Sequence, residues 1–211
     1  DRSLLARTPS APRVVCLPTA AGTEGAARVA YWSNLGVAHF RKLGAQAEAV
    51  DIINREMAHD EALVDKIRAA NFVYLSGGKP GYLFDTLHDS PAGDAIQGVL
   101  AAGGVVAGCS AGAMIWGEQF RSVRLTNAWK HGFGYVHHSA IFPHYDEIPE
   151  MMVRVARETM PHHLTILGIE GDTVLVKTEA DYGVKGRGGV TVWNHHLKRR
   201  YRDNEVIPPW W

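Results

Sequence analysis

The spacing of apolar positions changes character near Gly117. Before that point, short unbroken apolar runs alternate with longer stretches of helical period. Val14-Val15-Cys16-Leu17-Pro18 is the kind of run that is buried on both faces of a parallel sheet. A helix is predicted from Glu24 to Leu43, carrying Trp32, Leu35, Phe40 and Leu43 at helical spacing, with Thr23 as N-cap and Gly44 as its stop. Ala47 to Ile53 predicts a second strand, and Asp60-Glu61 opens a helix through Leu63, Val64 and Ile67. Phe72-Val73-Tyr74-Leu75 predicts a third strand, ending in Ser76-Gly77-Gly78. Helices follow around Tyr82 to Leu87 and from Ala92 to Ala102, the second stopped by Gly103-Gly104. A fourth strand then ends at Gly108.

After Gly117 the runs shorten. Residues 118 to 143 hold short β-like pieces, and Ile141-Phe142-Pro143 leads straight into His144. Pro149 stands in the first turn of a helix predicted to reach Met160. Thr165 to Ile169, Thr173 to Lys177, Tyr182 to Lys185 and Val190 to Trp193 read as successive antiparallel strands. The expected fold is α/β: a doubly wound, mostly parallel sheet with helices on both faces and a small antiparallel C-terminal extension. With no repeat or linker in view, residues 1–211 are expected to form a single domain.

Composition narrows the function classes. The chain has 211 residues and a formal net charge of zero, so no nucleic-acid or anionic-membrane partner is expected. The basic run Lys198-Arg199-Arg200 with Arg202 reads as a solvated surface strand. Cys16 and Cys109 are the only cysteines and sit in apolar surroundings, as free thiols of a reducing, cytoplasmic compartment would. No apolar segment approaches membrane-spanning length. The apolar end, Val206-Ile207-Pro208-Pro209-Trp210-Trp211, is expected to dock on its own domain or on the neighbouring subunit of a homodimer.

The candidate chemistry starts at Gly108-Cys109-Ser110-Ala111-Gly112-Ala113. Gly-x-Ser-x-Gly between a strand and a helix is the pattern of a nucleophile elbow, where strained serine angles and close strand–helix approach demand small neighbours. A tight turn with an incidental serine is the alternative. A serine nucleophile needs a base, and His144 sits where an apolar strand ends. His137, His138, His162, His163, His195 and His196 come in pairs in polar settings and read as surface residues. A metal site from His137, His138 and His144 lacks a helical His pair or an acidic bridge. Glu170 closes a strand and is the candidate acid that orients the base, with Asp172 as fallback, while Asp146 is expected to cap the next helix. For the oxyanion, the backbone N–H of Ala111 is one donor, and the Gly77-Gly78 turn is a second if it is more than plain turn chemistry. The order Ser…His…Glu differs from the Ser…acid…His order of α/β-hydrolases.

Taken together, these residues resemble peptidase family S51, the group of dipeptidase E and cyanophycinase. The resemblance runs from Pro12–Ala20 through Tyr74-Leu75-Ser76-Gly77-Gly78, the serine motif and Phe142-Pro143-His144-Tyr145 to Gly168-Ile169-Glu170-Gly171. It implies a class I glutamine amidotransferase-like fold in which serine replaces cysteine at the turn. It also implies Ser110 as nucleophile, His144 as base, oxyanion donors at Gly78 and Ala111, and no metal or organic cofactor. The family's acidic residue between nucleophile and histidine has no match in Leu125-Thr126-Asn127-Ala128-Trp129, which moves the acid to Glu170. Gly77-Gly78-Lys79-Pro80 matches neither subgroup, though Gly77 would border the substrate and Lys79 would meet a substrate carboxylate. The resemblance also leads to the expectation of a further strand before the position of Asp1. The expectation is a cytoplasmic serine peptidase acting on short peptides or isopeptide-like amides, Asp-containing dipeptides or β-aspartyl bonds foremost. The competing readings are an amidotransferase-like domain with an idle serine that binds a small metabolite or partner, and an amidase or acyltransferase with a non-peptide substrate.

Overall fold

In the computed structural model, which describes residues 1–121 and 128–210, the first of two units (Asp1–Ala113) is built on four parallel strands. Helix α1 (Arg2–Leu5) precedes β1 (Arg13–Leu17), and α2 (Ala26–Lys42) leads to β2 (Gln46–Ala49). Helix α3 (Glu61–Ala69) leads to β3 (Phe72–Leu75), and α4 (Pro80–Leu87) with α5 (Pro91–Ala101) leads to β4 (Val105–Gly108). The strand order is β2-β1-β3-β4, with Cys16 beside Tyr74 and Tyr74 beside Ala107 in the ladders. This is the expected α/β sheet flanked by helices. Because the chain goes outward from β1 to β2 and returns to β3, the β1 and β3 ends diverge at a switch point, where such sheets hold ligands.

Local chemistry accounts for the boundaries. Asp60 caps α3 by accepting the Ala62 N–H, and Ser90 caps α5 by accepting the Gly93 N–H, with Pro91 as first residue. Gly44 ends α2 at φ 91°. Thr23 is not the cap of α2: Gly25 is, and the Thr23 hydroxyl instead accepts from Lys79 Nζ at 2.6 Å. The second strand is shorter than predicted, stopping at Ala49. Helix α2 lies over one face of the sheet, where the fully buried Phe40 ring meets Phe72 and Tyr74 at 5.2 and 5.1 Å.

The second unit (Met114–Trp211) is mostly β. The short α6 (Ala111–Met114) leads into it. Strands β5 (Gln119–Arg121) and β6 (Trp129–His131) form a hairpin, and residues 125–127 of the stretch lacking the acid lie outside the described residues. Strand β7 (Ser139–Pro143), helix α7 (Glu150–Glu158), β8 (Thr165–Ile169), β9 (Thr173–Lys177), β10 (Tyr182–Gly186), β11 (Gly189–Trp193), β12 (Lys198–Arg202) and β13 (Val206–Ile207) complete it. One sheet has the order β12-β11-β8-β7 and another β13-β10-β9. The strands predicted as successive antiparallel partners divide between these sheets, β9 pairing with β10 and β8 with β11, both antiparallel, while β7 and β8 run parallel, Pro143 beside Ile169. Helix α7 bridges that parallel connection and buries Val153 with Ala140 and Ile166. The C-terminal segment does dock on its own unit, β13 pairing with β10 and Trp210 lying 4.6 Å from Tyr182.

No described helix is long and apolar enough to cross a membrane. Replacing Phe40 by Ala removes the ring between α2 and β3, so unfolding of the variant in urea is expected to show a loss of about 3–5 kcal/mol.

Candidate active site

Three strand ends meet at the carboxyl edge of the first unit's sheet. Strand β1 runs into Pro18-Thr19-Ala20, β3 into Ser76-Gly77-Gly78 and β4 into Cys109-Ser110. Backbone hydrogen bonds tie them together: Ser76 N–H to the Leu17 carbonyl (3.1 Å), Cys109 N–H to Leu75 (3.0 Å) and Lys79 N–H to Ala20 (2.8 Å).

Ser110 has φ 50°, one of six described non-glycine residues at positive φ, and is half-buried. A serine pays a steric penalty there, so the turn must be held from outside. The hold comes from small neighbours. A Cβ on Gly112 would strike the Leu75 carbonyl, and one on Gly108 would strike the carbonyl of Gly112. The Gly112 N–H closes the turn on the Cys109 carbonyl at 2.8 Å, and Ala113 N–H reaches the Ser110 carbonyl at 3.0 Å. Ala111 is the first residue of α6 and buried. Four residues of helix supply little macrodipole, so the local N–H groups, not the helix as a whole, set the field at Ser110.

Gly77 stands beside this turn. Its missing Cβ would lie 3.3 Å from Ser110 Cβ and 3.2 Å from Trp32 Cζ2, so the two glycines are more than a bare turn signal: a side chain at 77 would crowd both. Gly78 has φ 143°, a region only glycine occupies freely, and any side chain there would hit the Ala20 carbonyl. Lys79 is exposed beyond it, tethered to Thr23. Around the same edge, Thr19 Oγ1, Ser76 Oγ and Trp32 Nε1 are buried with no hydrogen-bond partner among the described residues. Trp32 escaped the sequence reading, where it looked like one more core position of an amphipathic helix.

In the second unit, His144 directly follows β7 and has φ 52°. Its ring is exposed and has no hydrogen bond among the described residues. The next residue fixes it: the Tyr145 ring lies flat against Gly168 of β8, filling the volume a side chain at 168 would need. Asp146 does not cap α7, whose N-cap is Pro149; its carboxylate accepts the Gly171 N–H at 2.9 Å and staples the turn after β7 to the turn after β8. Glu170, one residue beyond β8, therefore stands on the same sheet edge as His144. Its carboxylate is held in a fork by Arg200, Nε to Oε1 at 2.5 Å and Nη2 to Oε2 at 2.6 Å. Arg200 was read as part of a solvated strand; the register β12-β11-β8 that brings it over Glu170 spans 30 residues and leaves no local signal. The fallback Asp172 is exposed and faces Arg187 at 3.6 Å.

The Arg200 guanidinium holds the Glu170 carboxyl below its usual range, outweighing partial burial and the nearby Asp146 charge. Burial pushes the Cys16 thiol up to about 12 and raises the Tyr74 phenol, with Cys109 beside it. Glu118 is pulled down despite its burial by hydrogen bonds from His163 at 2.7 Å and the His138 backbone at 2.9 Å. Of the histidines read as surface residues, His138 and His163 meet Glu118, and His195 meets Arg157 and His162, while all four remain exposed. Among the described residues no group of three or more His, Cys, Asp or Glu is placed to hold a metal.

The model of peptidase family S51 matches residues 2–183. The chain belongs to peptidase family S51. A solved peptidase from an acI-B1 Actinobacterium superposes with a TM-score of 0.88 at 29% identity, covering 98% of this chain and 88% of that one. A structure from Listeria monocytogenes shares the fold at a TM-score of 0.59 and 20% identity, covering 94% and 90% of the two chains. Among curated relatives, an uncharacterized peptidase of Listeria monocytogenes is 26% identical over 143 residues, 64% of this chain and 67% of its own length. A Listeria innocua counterpart is 27% identical over 143 residues, 64% and 66% of the two lengths. Membership of family S51 supports a serine peptidase.

Two outcomes follow for this S51 chain. Gly168→Ala should expel the Tyr145 ring and shift the His144 backbone, seen as large amide shift changes at 144–146 in NMR spectra with the strand pairing kept. Because Glu170 has a depressed folded pKa, the stability its fork contributes is complete above the unfolded value of about 4.3 and disappears as pH falls through the folded value. Urea midpoints should therefore fall more steeply below about pH 4 in the wild type than in Arg200→Met.

Proposed function

We propose that the protein is a serine peptidase that cleaves short peptides or isopeptide-like amides, Asp-containing dipeptides and β-aspartyl bonds foremost, through an acyl-enzyme on Ser110. The observation that carries this is the turn itself: a serine held at φ 50° by glycines that admit no side chain, in a chain of family S51.

In this reading Ser110 Oγ attacks the scissile carbonyl carbon while its proton passes to His144. The oxyanion is met by the N–H groups of Gly78 and Ala111. The carbon–nitrogen bond breaks as His144 returns the proton to the leaving amine. Water, deprotonated by the same imidazole, then attacks the ester, releases the acid and restores the serine. Glu170 orients His144 and stabilises the imidazolium. Its fork with Arg200 keeps it anionic, and a carboxylate has about four acceptor directions, so a ring N–H can still be taken. Gly77 leaves room for the substrate backbone. Lys79 donates one N–H to Thr23 and has two more for a substrate carboxylate.

A fluorophosphonate probe is expected to label Ser110 in the wild type and to fail with Ser110→Ala and with His144→Ala, each remaining folded by circular dichroism. No labelling of the wild type would leave a binding domain with an idle serine. On a panel of Asp-X dipeptides, β-aspartyl dipeptides and simple amides, the Asp-containing peptides should give the highest kcat/KM; turnover confined to simple amides would point to an amidase. Glu170→Gln should lower kcat about 10³–10⁴-fold, and an unchanged rate would remove Glu170 from the mechanism.

A further inference from the structure

Strand alternation puts Cys16, Tyr74, Ser76 and Cys109 on the face of the first unit's sheet that α2 covers. The helix meets that face closely at Gly36 and at Phe40. Gly36 approaches Cys16 so nearly that a Cβ would lie 2.9 Å from the sulfur, and Phe40 packs on Tyr74. Beyond those contacts the helix and sheet part, leaving a cavity of about 300 Å³ that Trp32, Leu35, His39 and Phe40 border on the helix side and the four strand residues on the other, with Asp1 also lining it.

Three properties distinguish it from a packing defect. Its volume matches the lower end of ligand sites, whereas voids in protein interiors seldom exceed a water. It adjoins the reactive turn: Ser76 and Cys109 precede Gly77 and Ser110, and the Trp32 ring that borders it also lies against the position of a Gly77 side chain. Most telling, Ser76 is 5% exposed and its hydroxyl has no partner, as is true of the buried Trp32 Nε1. Leaving such donors unmet costs about 1–3 kcal/mol each, a cost that an acceptor in the cavity would relieve. Asp1 and His39 also border it and answer each other, His39 Nε2 lying 2.8 Å from Asp1 Oδ2, while burial raises the Cys16 thiol and the Tyr74 phenol.

We infer that this cavity is a binding site for a neutral, ring-sized apolar group that carries a hydrogen-bond acceptor, with Trp32, Phe40 and Leu35 enclosing the ring and Ser76 Oγ and Trp32 Nε1 meeting the acceptor. Such a group is either a side chain of the peptide substrate or a free small molecule. The assignment does not depend on Ser110 being a nucleophile.

Benzamide supplies the ring and the acceptor together, and toluene the ring alone. Titration calorimetry and ligand-observed NMR on the whole chain should give saturable benzamide binding with a Kd of about 1 mM or tighter, at least fivefold tighter than toluene. Ser76→Ala should weaken benzamide about five- to tenfold and leave toluene unchanged. Leu35→Trp, at a side chain 47% exposed and so tolerant of replacement, should abolish both. Absence of binding at about 10 mM, or binding indifferent to both substitutions, overturns the proposal. Competition between benzamide and a dipeptide bearing an aromatic residue identifies the guest as a substrate side chain; undisturbed dipeptide binding identifies a free ligand. A fluorophosphonate that fails to label Ser110 while benzamide still binds defeats the hydrolase reading alone.

Discussion

The closeness of three backbones at the end of β4 governs the first unit. Leu75 of β3 touches Gly112, Gly112 touches Gly108, and the chain between them has to reverse within Cys109-Ser110-Ala111. A side chain at either glycine would separate the strand from α6 and allow Ser110 to relax out of its left-handed conformation. A single residue in that conformation costs of order 1–2 kcal/mol, which the parallel ladder and two turn hydrogen bonds offset. The serine is thus aimed by exclusion: it stays where it is because everything around it is too tight to let it move.

The second unit uses the same device with different parts. Gly168 makes room for the Tyr145 ring, and the ring in turn fixes the residue before it, His144, at φ 52°. Charge then works where sterics do not reach. Asp146 spans the two turns through the Gly171 N–H, and its own negative charge pushes the Glu170 carboxyl up. The Arg200 fork pulls the other way and wins, because two charge-assisted bonds at 2.5 and 2.6 Å outweigh one more distant repulsion. The outcome is a carboxylate held anionic at the same sheet edge as His144.

What could be read from the chain follows the range of the forces involved. The Gly-x-Ser-x-Gly turn was legible because its constraint is local and steric, and so were the helix start at Asp60-Glu61 and the stop at Gly44. The parallel sheet was legible because burial on both faces leaves unbroken apolar runs. The roles of Thr23 and Asp146 were misread because each is a good helix cap by type, yet a partner far along the chain, Lys79 or Gly171, claims the side chain. The parallel pairing of β7 with β8 was hidden for a similar reason: α7 carries the crossover, but alternation within a strand does not state its neighbour's direction. Gly168 within a strand and Gly36 within a helix were the signals that remained, since each marks a place where something approaches too closely for a Cβ.

The turn from Ser76 to Lys79 has two chemically different sides. Ser76 follows the strand's alternation and borders the cavity under α2, while the reversal at Gly78 carries Lys79 out into solvent with its charge. A ligand lying along this turn therefore meets an apolar wall with buried donors at one end and a cation at the other. Purely apolar peptides would leave the lysine unanswered, and doubly acidic ones would place a second carboxylate among the Trp32 and Phe40 rings and near Asp1. Under the proposed function, a short peptide with one acidic and one apolar residue would match both ends, and the separation of the two ends along the turn would set which residue lies on which side of the cleaved bond.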